Sequence, residues 1–192
     1  MQWIELVSAL LCIWGVWLNA RPHILGWPVG IVSVLLAAIV YFHAHLFAEF
    51  GLQWFYALSG FYGWWQWHTD QAATHRPYVY QIEQRFLIIS LLLGFVGAIL
   101  LGFVLQHFTT ADWPWVDSAL ASFSLVGQIW LARKWVENWL LWMVINLISV
   151  GLYATKGLWF FAILYAILFG LAIAGYRNWR KQWLKNEPVF NP

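Results

Sequence analysis

The residues of this sequence best suited to chemistry lie in one apolar stretch, residues 137–157, which carries Trp139, Trp142 and Asn146. On an α-helix, at about 100° per residue, these three side chains fall within about 60° of one another and share one face. An asparagine amide left unpaired in hydrocarbon costs several kcal/mol, so we expect Asn146 to face a partner helix or a cavity. The two indoles would then flank the same cavity. A carboxamide beside two indole faces suits a small, flat aromatic ligand.

A second polar and aromatic helix face is predicted between residues 53 and 67. Gln53, Tyr56, Gly60 and then Gly63 or Trp64 recur at helical spacing. Gln53 can both donate and accept hydrogen bonds, as a ligand amide or hydroxyl requires. Tyr56 and Trp64 are compatible with the same site, although aromatic residues on such a face more often pack in a core. We therefore take Gln53, Tyr56 and Trp64 as further candidate binding residues.

Other kinds of chemistry are disfavoured by what the sequence lacks. Its single cysteine, Cys12, rules out an internal disulfide and a cysteine metal cluster, and it contains no Walker loop and no HExxH motif. No nucleophile–base pair or acidic dyad falls inside an apolar stretch, so we expect neither an enzyme nor a cofactor or metal site. Intramembrane acids are the usual groups that couple transport to protons or sodium, and the central part of every apolar stretch lacks Asp, Glu, Lys and Arg. This pattern favours facilitated diffusion through an uncharged cavity.

The elements that must position these residues are membrane helices. Of the 192 residues, 62% are hydrophobic and 9% are charged, against about 25% charged in soluble domains. Apolar runs near the length of about 20 residues that a bilayer requires occupy seven segments, residues 3–19, 24–42, 46–67, 86–107, 115–132, 138–155 and 157–176. The first run has no basic flank and no cleavage site, so we expect a retained helix. The prediction is one all-α transmembrane domain over residues 1–192.

The basic residues predict the orientation of the seven spans. Only Lys156 falls on the side reached after an even-numbered span, and all the other basic residues fall on the opposite side: Arg21, Arg76, Arg85, Arg133, Lys134, Arg177, Arg180, Lys181 and Lys185. By the positive-inside rule, the N-terminus is outside and the C-terminus is cytoplasmic. Because topology places these charges, the net charge of +2 gives no reason to expect a nucleic-acid partner.

An internal repeat with an offset of 112 residues organises the spans. About a dozen identities follow this offset without gaps, including Gly15 with Gly127, Arg21 with Arg133, Trp27 with Trp139, Gly63 with Gly175 and Trp67 with Trp179. We therefore expect two parallel three-helix repeats, at about 3–67 and 115–179, joined by a linker helix at about 86–107. In transporters built this way, the ligand lies near the bilayer midplane at the repeat interface.

The repeat separates shared from unshared candidate positions. Asn146 pairs with Val34, so its amide is not demanded by packing that the two halves share. Trp139 pairs with Trp27, and a shared pair of indoles is compatible with core or interfacial packing as well as with ligand contact. Trp142 has no aromatic mate, which favours a role in the site.

Three segments resemble the PnuC-type bacterial vitamin transporters: RPHILGWPVGI around Trp27, LQWFYALSGFYGWWQW over residues 52–67 and ENWLLWMVINLISVGLY over residues 137–153. With the repeat, the resemblance covers nearly the whole chain. The sequence departs from the family pattern at Gly26, where a bulkier residue is expected.

The resemblance implies a fold similar to that of SWEET sugar transporters and uptake of nicotinamide riboside by facilitated diffusion, with a cytoplasmic kinase that traps the product. It implies that Trp139, Trp142, Asn146 and Gln53 line the site, and it is compatible with a homo-oligomer. A cationic pyridinium stacked on an indole gains roughly 0.5–2 kcal/mol. An uncharged cavity would have nothing to neutralise a phosphate, so phosphorylated forms would be excluded.

The sequence therefore predicts a facilitator whose partners are a small-molecule vitamin and the lipid bilayer. Thiamine, also cationic, aromatic and unphosphorylated, is the closest rival ligand, and riboflavin is a more distant one. The rival of another class is a non-transporting membrane scaffold or sensor, in which the aromatic residues serve only packing and interfacial anchoring.

Overall fold

The computed structural model describes residues 2–43, 47–74, 79–109 and 112–186, and within these ranges the chain forms seven α-helices. They are α1 (Gln2–Asn19), α2 (Gly26–His43), α3 (Phe47–Thr74), α4 (Gln84–Phe108), α5 (Pro114–Ala132), α6 (Asn138–Thr155) and α7 (Trp159–Asn186). Each coincides with one predicted span. Arg76, one of the basic residues used for orientation, lies outside the described residues, as do residue 1 and the last six residues of the predicted domain.

The helix ends follow from local chemistry. Pro114 begins α5, where its missing N–H would have no helical partner in any case. The Thr109 hydroxyl donates to the carbonyl of Leu105 at 2.6 Å and closes the last turn of α4. After α6 the chain turns at Gly157, whose φ of +70° is a left-handed conformation that glycine adopts without steric cost.

Helices α3 and α7 run further than the apolar pattern predicts. The predicted spans end at residues 67 and 176, whereas the helices continue to Thr74 and Asn186. Their added turns are polar, with Asp70 on α3 and Arg180 on α7. Because hydropathy reports only the length in contact with lipid, it cannot show where a helix ends in water.

Within the described residues, four helices are long and apolar enough to cross a membrane: α2, α4, α6 and α7. Helix α1 is apolar over a shorter length. Helix α5 is less apolar because it carries the buried residues Ser118, Ser122 and Ser124. These three serines of α5 therefore face the protein interior.

The packing joins neighbouring helices first. Helix α2 lies between α1 and α3, α6 contacts both α5 and α7, and α4 packs along α5. Contacts between α3 and α5 and between α1 and α7 connect the first three helices to the last three. Ser8 and Ser33 each donate to the other's carbonyl, at 2.9 and 2.8 Å, and so fasten α1 to α2.

Four buried tryptophans form a continuous layer, which we call the tryptophan layer: Trp27, Trp67, Trp179 and Trp139. Each is at most 2% exposed. Successive ring centroids along this series are 5.5, 5.9 and 5.5 Å apart, and the two outer pairs are edge-to-face. Aromatic pairs at such distances contribute about 0.5–1.5 kcal/mol beyond the area they bury.

Two indole N–H groups hold this layer to the rest of the protein. The Trp67 indole N–H donates to the carbonyls of Leu131 and Ala132, at 3.3 and 3.1 Å. The Trp179 indole N–H donates to the carbonyl of Asn19 at 3.0 Å. Trp179 follows Trp67 by 112 residues, and Leu131 follows Asn19 by the same offset, so the two bonds are related by the sequence repeat.

Candidate functional site

A cavity of about 770 Å³ lies between the helices that the tryptophan layer connects. It follows α1 from Glu5 to Asn19 and α5 from Asp117 to Leu131. Fourteen residues of helix span about 21 Å at 1.5 Å per residue. One end of the cavity is bounded by Glu5 and Asp117, and Trp27 and the other members of the layer lie at the opposite end. Its volume falls in the range of about 300–1,000 Å³ typical of small-molecule pockets.

Two predicted amides, Asn146 on α6 and Gln53 on α3, line this cavity. Asn146 is 4% exposed. Among the described residues, neither side chain makes a hydrogen bond within the protein. A buried amide without a protein partner loses the free energy of its missing hydrogen bonds unless water or a ligand supplies them. These amides can therefore donate to and accept from a bound molecule.

Trp139 lines the layer end of the cavity because α7 carries glycine where its ring lies. A Cβ added to Gly175 would be 2.6 Å from two atoms of that ring, so only glycine lets the indole lie flat against α7. Trp27 packs against Gly63 on α3 in the same way, and it also lines the cavity. The indole N–H groups of Trp27 and Trp139 are buried, and neither has a hydrogen-bond partner in the described part of the chain.

Trp142 occupies a wider part of the wall, between α5 and α6. A Cβ on Gly127 would be 3.2–3.4 Å from its ring, so the indole lies over the backbone of α5. At the equivalent place in the first half, Gly15 approaches the backbone of Gly30 directly, with a 3.2 Å distance from its ideal Cβ to the Gly30 nitrogen. The Trp142 indole thus separates α5 from α6, whereas their equivalents in the first half, α1 and α2, are in direct contact.

The remaining aromatic candidates divide into one that lines the cavity and one that does not. Tyr56 lines it, near Tyr153 and Tyr165, whose rings stack at 5.2 Å and an interplanar angle of 7°. Trp64 is 39% exposed and is not among the lining residues. Of the two positions that the sequence offered for that turn of α3, Gly63 faces inward against Trp27, and Trp64 therefore points elsewhere.

The cavity is not uncharged, contrary to the sequence-based expectation. Glu5 and Asp117 both line it, each in the first turn of its helix. Within the described lining they are the only charged side chains. The sequence-based argument considered only the central part of each apolar stretch, whereas Glu5 and Asp117 line the cavity from the first turns of α1 and α5. Their equivalence across the 112-residue offset was the signal that could have found them.

Gly26 has a packing reason for its small size. A Cβ there would clash with the side-chain amide of Asn19, which fills that space from α1. The position equivalent to Gly26 in the second half is Asn138. Both asparagines are buried, and in the described structure the amide oxygen of each lacks a hydrogen-bond partner. A side-chain amide is therefore present at this position in both halves: Asn19 of α1 supplies it in the first half, and Asn138 of α6 supplies it in the second.

A buried ion pair lies against the tryptophan layer. Lys134 is 1% exposed, and its ammonium donates to the Asp70 carboxylate at 3.0 Å. The ammonium also lies 5.5 Å from the centre of the Trp67 ring. Because Asp70 is on α3 and Lys134 directly follows α5, the pair connects the same two helices as the Trp67 hydrogen bonds.

Comparison with known proteins finds relatives along most of the chain. The family model described as nicotinamide mononucleotide transporter matches residues 2–181. The nicotinamide riboside transporter PnuC of Escherichia coli (strain K12) is 28% identical over 208 residues, covering 93% of this chain and 85% of that protein. The riboflavin/roseoflavin transporter RibM of Streptomyces davaonensis is 29% identical over 198 residues, covering 99% of this chain and 89% of that protein.

One solved structure shares the fold. It is described as the crystal structure of the vitamin B3 transporter PnuC, and it matches with a TM-score of 0.78 at 24% sequence identity, over 96% of this chain and 83% of the other. The names of these proteins mention different small molecules, so the comparisons alone leave the ligand of this chain open.

Proposed function

This chain belongs to the nicotinamide mononucleotide transporter family, and from that membership we propose that it carries nicotinamide riboside across the bacterial inner membrane by facilitated diffusion. It is a membrane transporter rather than an enzyme, as its relatives are. The observation that carries the choice of ligand is the cavity, in which the indoles of Trp139 and Trp142 lie with the unpaired amides of Asn146 and Gln53.

The ligand chemistry fits these side chains. The pyridinium ring stacks on the indoles of Trp139 and Trp142, and its positive charge gains roughly 0.5–2 kcal/mol from each such contact. The carboxamide and ribose hydroxyls pair with Asn146 and Gln53, which can both donate and accept. Tyr56 and Trp27 complete the wall.

The unphosphorylated form is the proposed substrate, although the family description names the mononucleotide. Proteins commonly balance the charge of a phosphate with Arg or Lys side chains. The described lining contains no basic side chain, and its charged residues are acids. Phosphorylation by a cytoplasmic kinase would therefore prevent return through the cavity and trap the product.

We propose that the seven helices are seven membrane spans of one domain, arranged as two parallel repeats, α1–α3 and α5–α7, with α4 as the linker. The paired tryptophan hydrogen bonds and the paired Trp–Gly contacts support this arrangement, because each pair follows the 112-residue offset. The distribution of Lys and Arg supports an outside N-terminus and a cytoplasmic C-terminus.

In this orientation Glu5 and Asp117 lie at the outer end of the cavity, and the tryptophan layer lies at its cytoplasmic end. Release into the cytoplasm then requires the layer to part between Trp67 and Trp179. Each half would lose one indole-to-carbonyl contact with the other half. Rocking of one repeat against the other supplies such a motion.

Riboflavin is the second candidate ligand, because RibM matches nearly the whole chain. Its isoalloxazine ring would stack on the same indoles without a cation–π contribution. Thiamine, which carries a cationic thiazolium ring, remains the third.

Binding to the purified protein in detergent, measured by calorimetry, tests the ligand. We expect nicotinamide riboside to bind and Asn146→Leu to abolish that binding, because leucine has the same branched arrangement of side-chain heavy atoms as asparagine but offers no hydrogen bonds. Leu147→Met, on the 59% exposed neighbour, is the control and should bind as the wild type does. If riboflavin or thiamine binds and nicotinamide riboside does not, the proposed ligand is wrong. If Asn146→Leu binds the riboside as the wild type does, Asn146 is not part of the site.

Transport in proteoliposomes tests the mechanism. Without a kinase inside, the internal concentration of labelled nicotinamide riboside should rise only to the external concentration. Proton and sodium gradients should not change this final level. With a nicotinamide riboside kinase and ATP inside, the label should accumulate above that level. Gradient-driven accumulation without the kinase would refute facilitated diffusion.

A further inference from the structure

The two carboxylates at the outer end of the cavity occupy equivalent places in the two halves. Glu5 lies in the first turn of α1 and Asp117 in the first turn of α5, and the 112-residue offset pairs them. Each begins the stripe of residues with which its helix lines the cavity. The only charges of the described lining are thus two negative ones at its entrance.

Acids at a helix start have an ordinary explanation, because negative charge in the first turn interacts favourably with the helix dipole. That role requires no contact with a cavity and is satisfied on any side of the helix. Helix α7 begins at the same end of the molecule, and its first turn has no acid. Dipole stabilisation therefore does not explain why both acids line the cavity.

A second observation shows that this cavity is built to hold a ligand. Asn146 lies further along it, more than nine-tenths buried, with an amide that is unpaired in the described structure. The cavity thus has charged groups at one end and a hydrogen-bonding group in its interior. Together these groups could select a ligand by its charge and by its hydrogen-bonding groups.

We propose that Glu5 and Asp117 form an acidic entrance that selects a cationic ligand. The proposal rests on the proposed function and narrows it to the charge of the substrate. Negative side chains in a cleft with low-dielectric walls focus the field and raise the local concentration of cations. A charge at the bilayer centre is costly, whereas a charge at a helix end remains hydrated. The entrance can therefore favour a cation without a charged residue at depth.

One further acid, Asp112, and one basic residue, Lys156, lie at this end of the molecule outside the cavity. Lys156, at the end of α6, lies 4.0 Å from the carboxylate of Asp112, which is 78% exposed. Neither residue lines the cavity. Asp112 thus offers an acid at the same end of the molecule but outside the path, and it serves as a matched control.

The test compares nicotinamide riboside with its reduced form, 1,4-dihydronicotinamide riboside, which has nearly the same shape and no charge. The wild-type protein should prefer the cation by about tenfold in initial uptake rate, within the range reported for electrostatic focusing. In Glu5→Gln/Asp117→Asn this preference should fall close to one. Asp112→Asn should retain it.

The amide substitutions keep the size of each side chain, and folding is checked by gel filtration and thermal unfolding. If the double variant does not fold, each single variant should lose about half of the preference on a logarithmic scale. A wild-type protein that carries both forms equally would overturn the acidic entrance and leave the proposed function intact. A preference that persists in the folded variants would overturn the assignment to Glu5 and Asp117. A wild-type protein that carries neither form would overturn the proposed function and this inference with it.

Discussion

Replacing Gly175 with alanine tests whether ring packing on glycine positions Trp139. Two ring atoms would lie 2.6 Å from the new Cβ, and ordinary contact begins at 3.4 Å, so the ring or α7 must move by at least 0.8 Å. Trp139 is 2% exposed, and Trp179 contacts it edge-to-face at 5.5 Å, which leaves the indole little free space.

The magnitude follows from two opposing effects. Overpacking a buried site costs about 1–3 kcal/mol, and replacing glycine by alanine within a helix returns up to about 1 kcal/mol. We expect a net loss of stability of about 1–2 kcal/mol for Gly175→Ala. Gly170 lies on the same helix with no atom within 4 Å of its ideal Cβ, so Gly170→Ala should be neutral or slightly stabilising.

Binding should report the displacement of the ring as well. If stacking on Trp139 contributes about 1.4 kcal/mol, within the usual range for cation–π contacts, its loss weakens binding about tenfold. The assay is thermal unfolding of the purified proteins together with calorimetric titration of nicotinamide riboside. Equal stability and equal affinity for Gly175→Ala and Gly170→Ala would refute the argument that glycine sets the position of the indole.

Two further predictions concern the wall and the ion pair. Trp142→Ala should weaken binding of nicotinamide riboside roughly 2–30-fold, from a stacking contribution of about 0.5–2 kcal/mol. Trp64→Ala should leave binding unchanged, because of these two residues only Trp142 lines the cavity. Calorimetric titration of both variants checks this, and equal losses of affinity would contradict the placement of Trp142 in the cavity wall. Asp70→Asn should destabilise the protein by about 2–3 kcal/mol, because it leaves the buried Lys134 ammonium without its carboxylate, although Asp70 is itself one-third exposed. Adding Lys134→Met to that variant should recover most of the loss in thermal unfolding, and failure to recover it would exclude the unpaired charge as the cause.

The positions of the helices could be predicted because lipid imposes a simple rule on the sequence. The sixth span was predicted over residues 138–155, and α6 is Asn138–Thr155. The fifth was predicted over residues 115–132, and α5 begins one residue earlier, at Pro114. A helix that contacts lipid must keep its backbone bonded internally and its lipid-facing surface apolar, so apolar runs in the sequence indicate where such helices lie.

Contacts between helices were harder to predict because periodicity gives a face but not its neighbour. The helical spacing of Asn146, Trp139 and Trp142 indicated one face, and all three line one cavity. The same spacing could not decide between Gly63 and Trp64, which are adjacent on α3. That choice depends on where the Trp27 ring lies, which is a property of the packed structure.

Side chains that cross between helices were missed for the same reason. The Asn19 amide fills the place beside Gly26, so the absence of a bulky residue on α2 is compensated from α1. When each helix is considered by itself, Gly26 looks like a departure from the family pattern, because the compensating side chain lies on another helix. The ion pair of Lys134 with Asp70 likewise joins residues 64 positions apart, which spacing within a helix cannot indicate.

The proposed ligand site lies where the two halves of the sequence repeat differ. The equivalent of Trp142 is Gly30, and there α1 and α2 approach closely enough for backbone contact. On the other side, the Trp142 indole lies on Gly127 and holds α5 and α6 apart. No atom lies within 4 Å of an ideal Cβ on Gly30, so a second indole there would project into the cavity from the opposite wall, whereas a glycine in place of Trp142 would let α5 close onto α6. One half must therefore be tightly packed and the other open for a single flat ligand to have both an aromatic wall and room to lie against it.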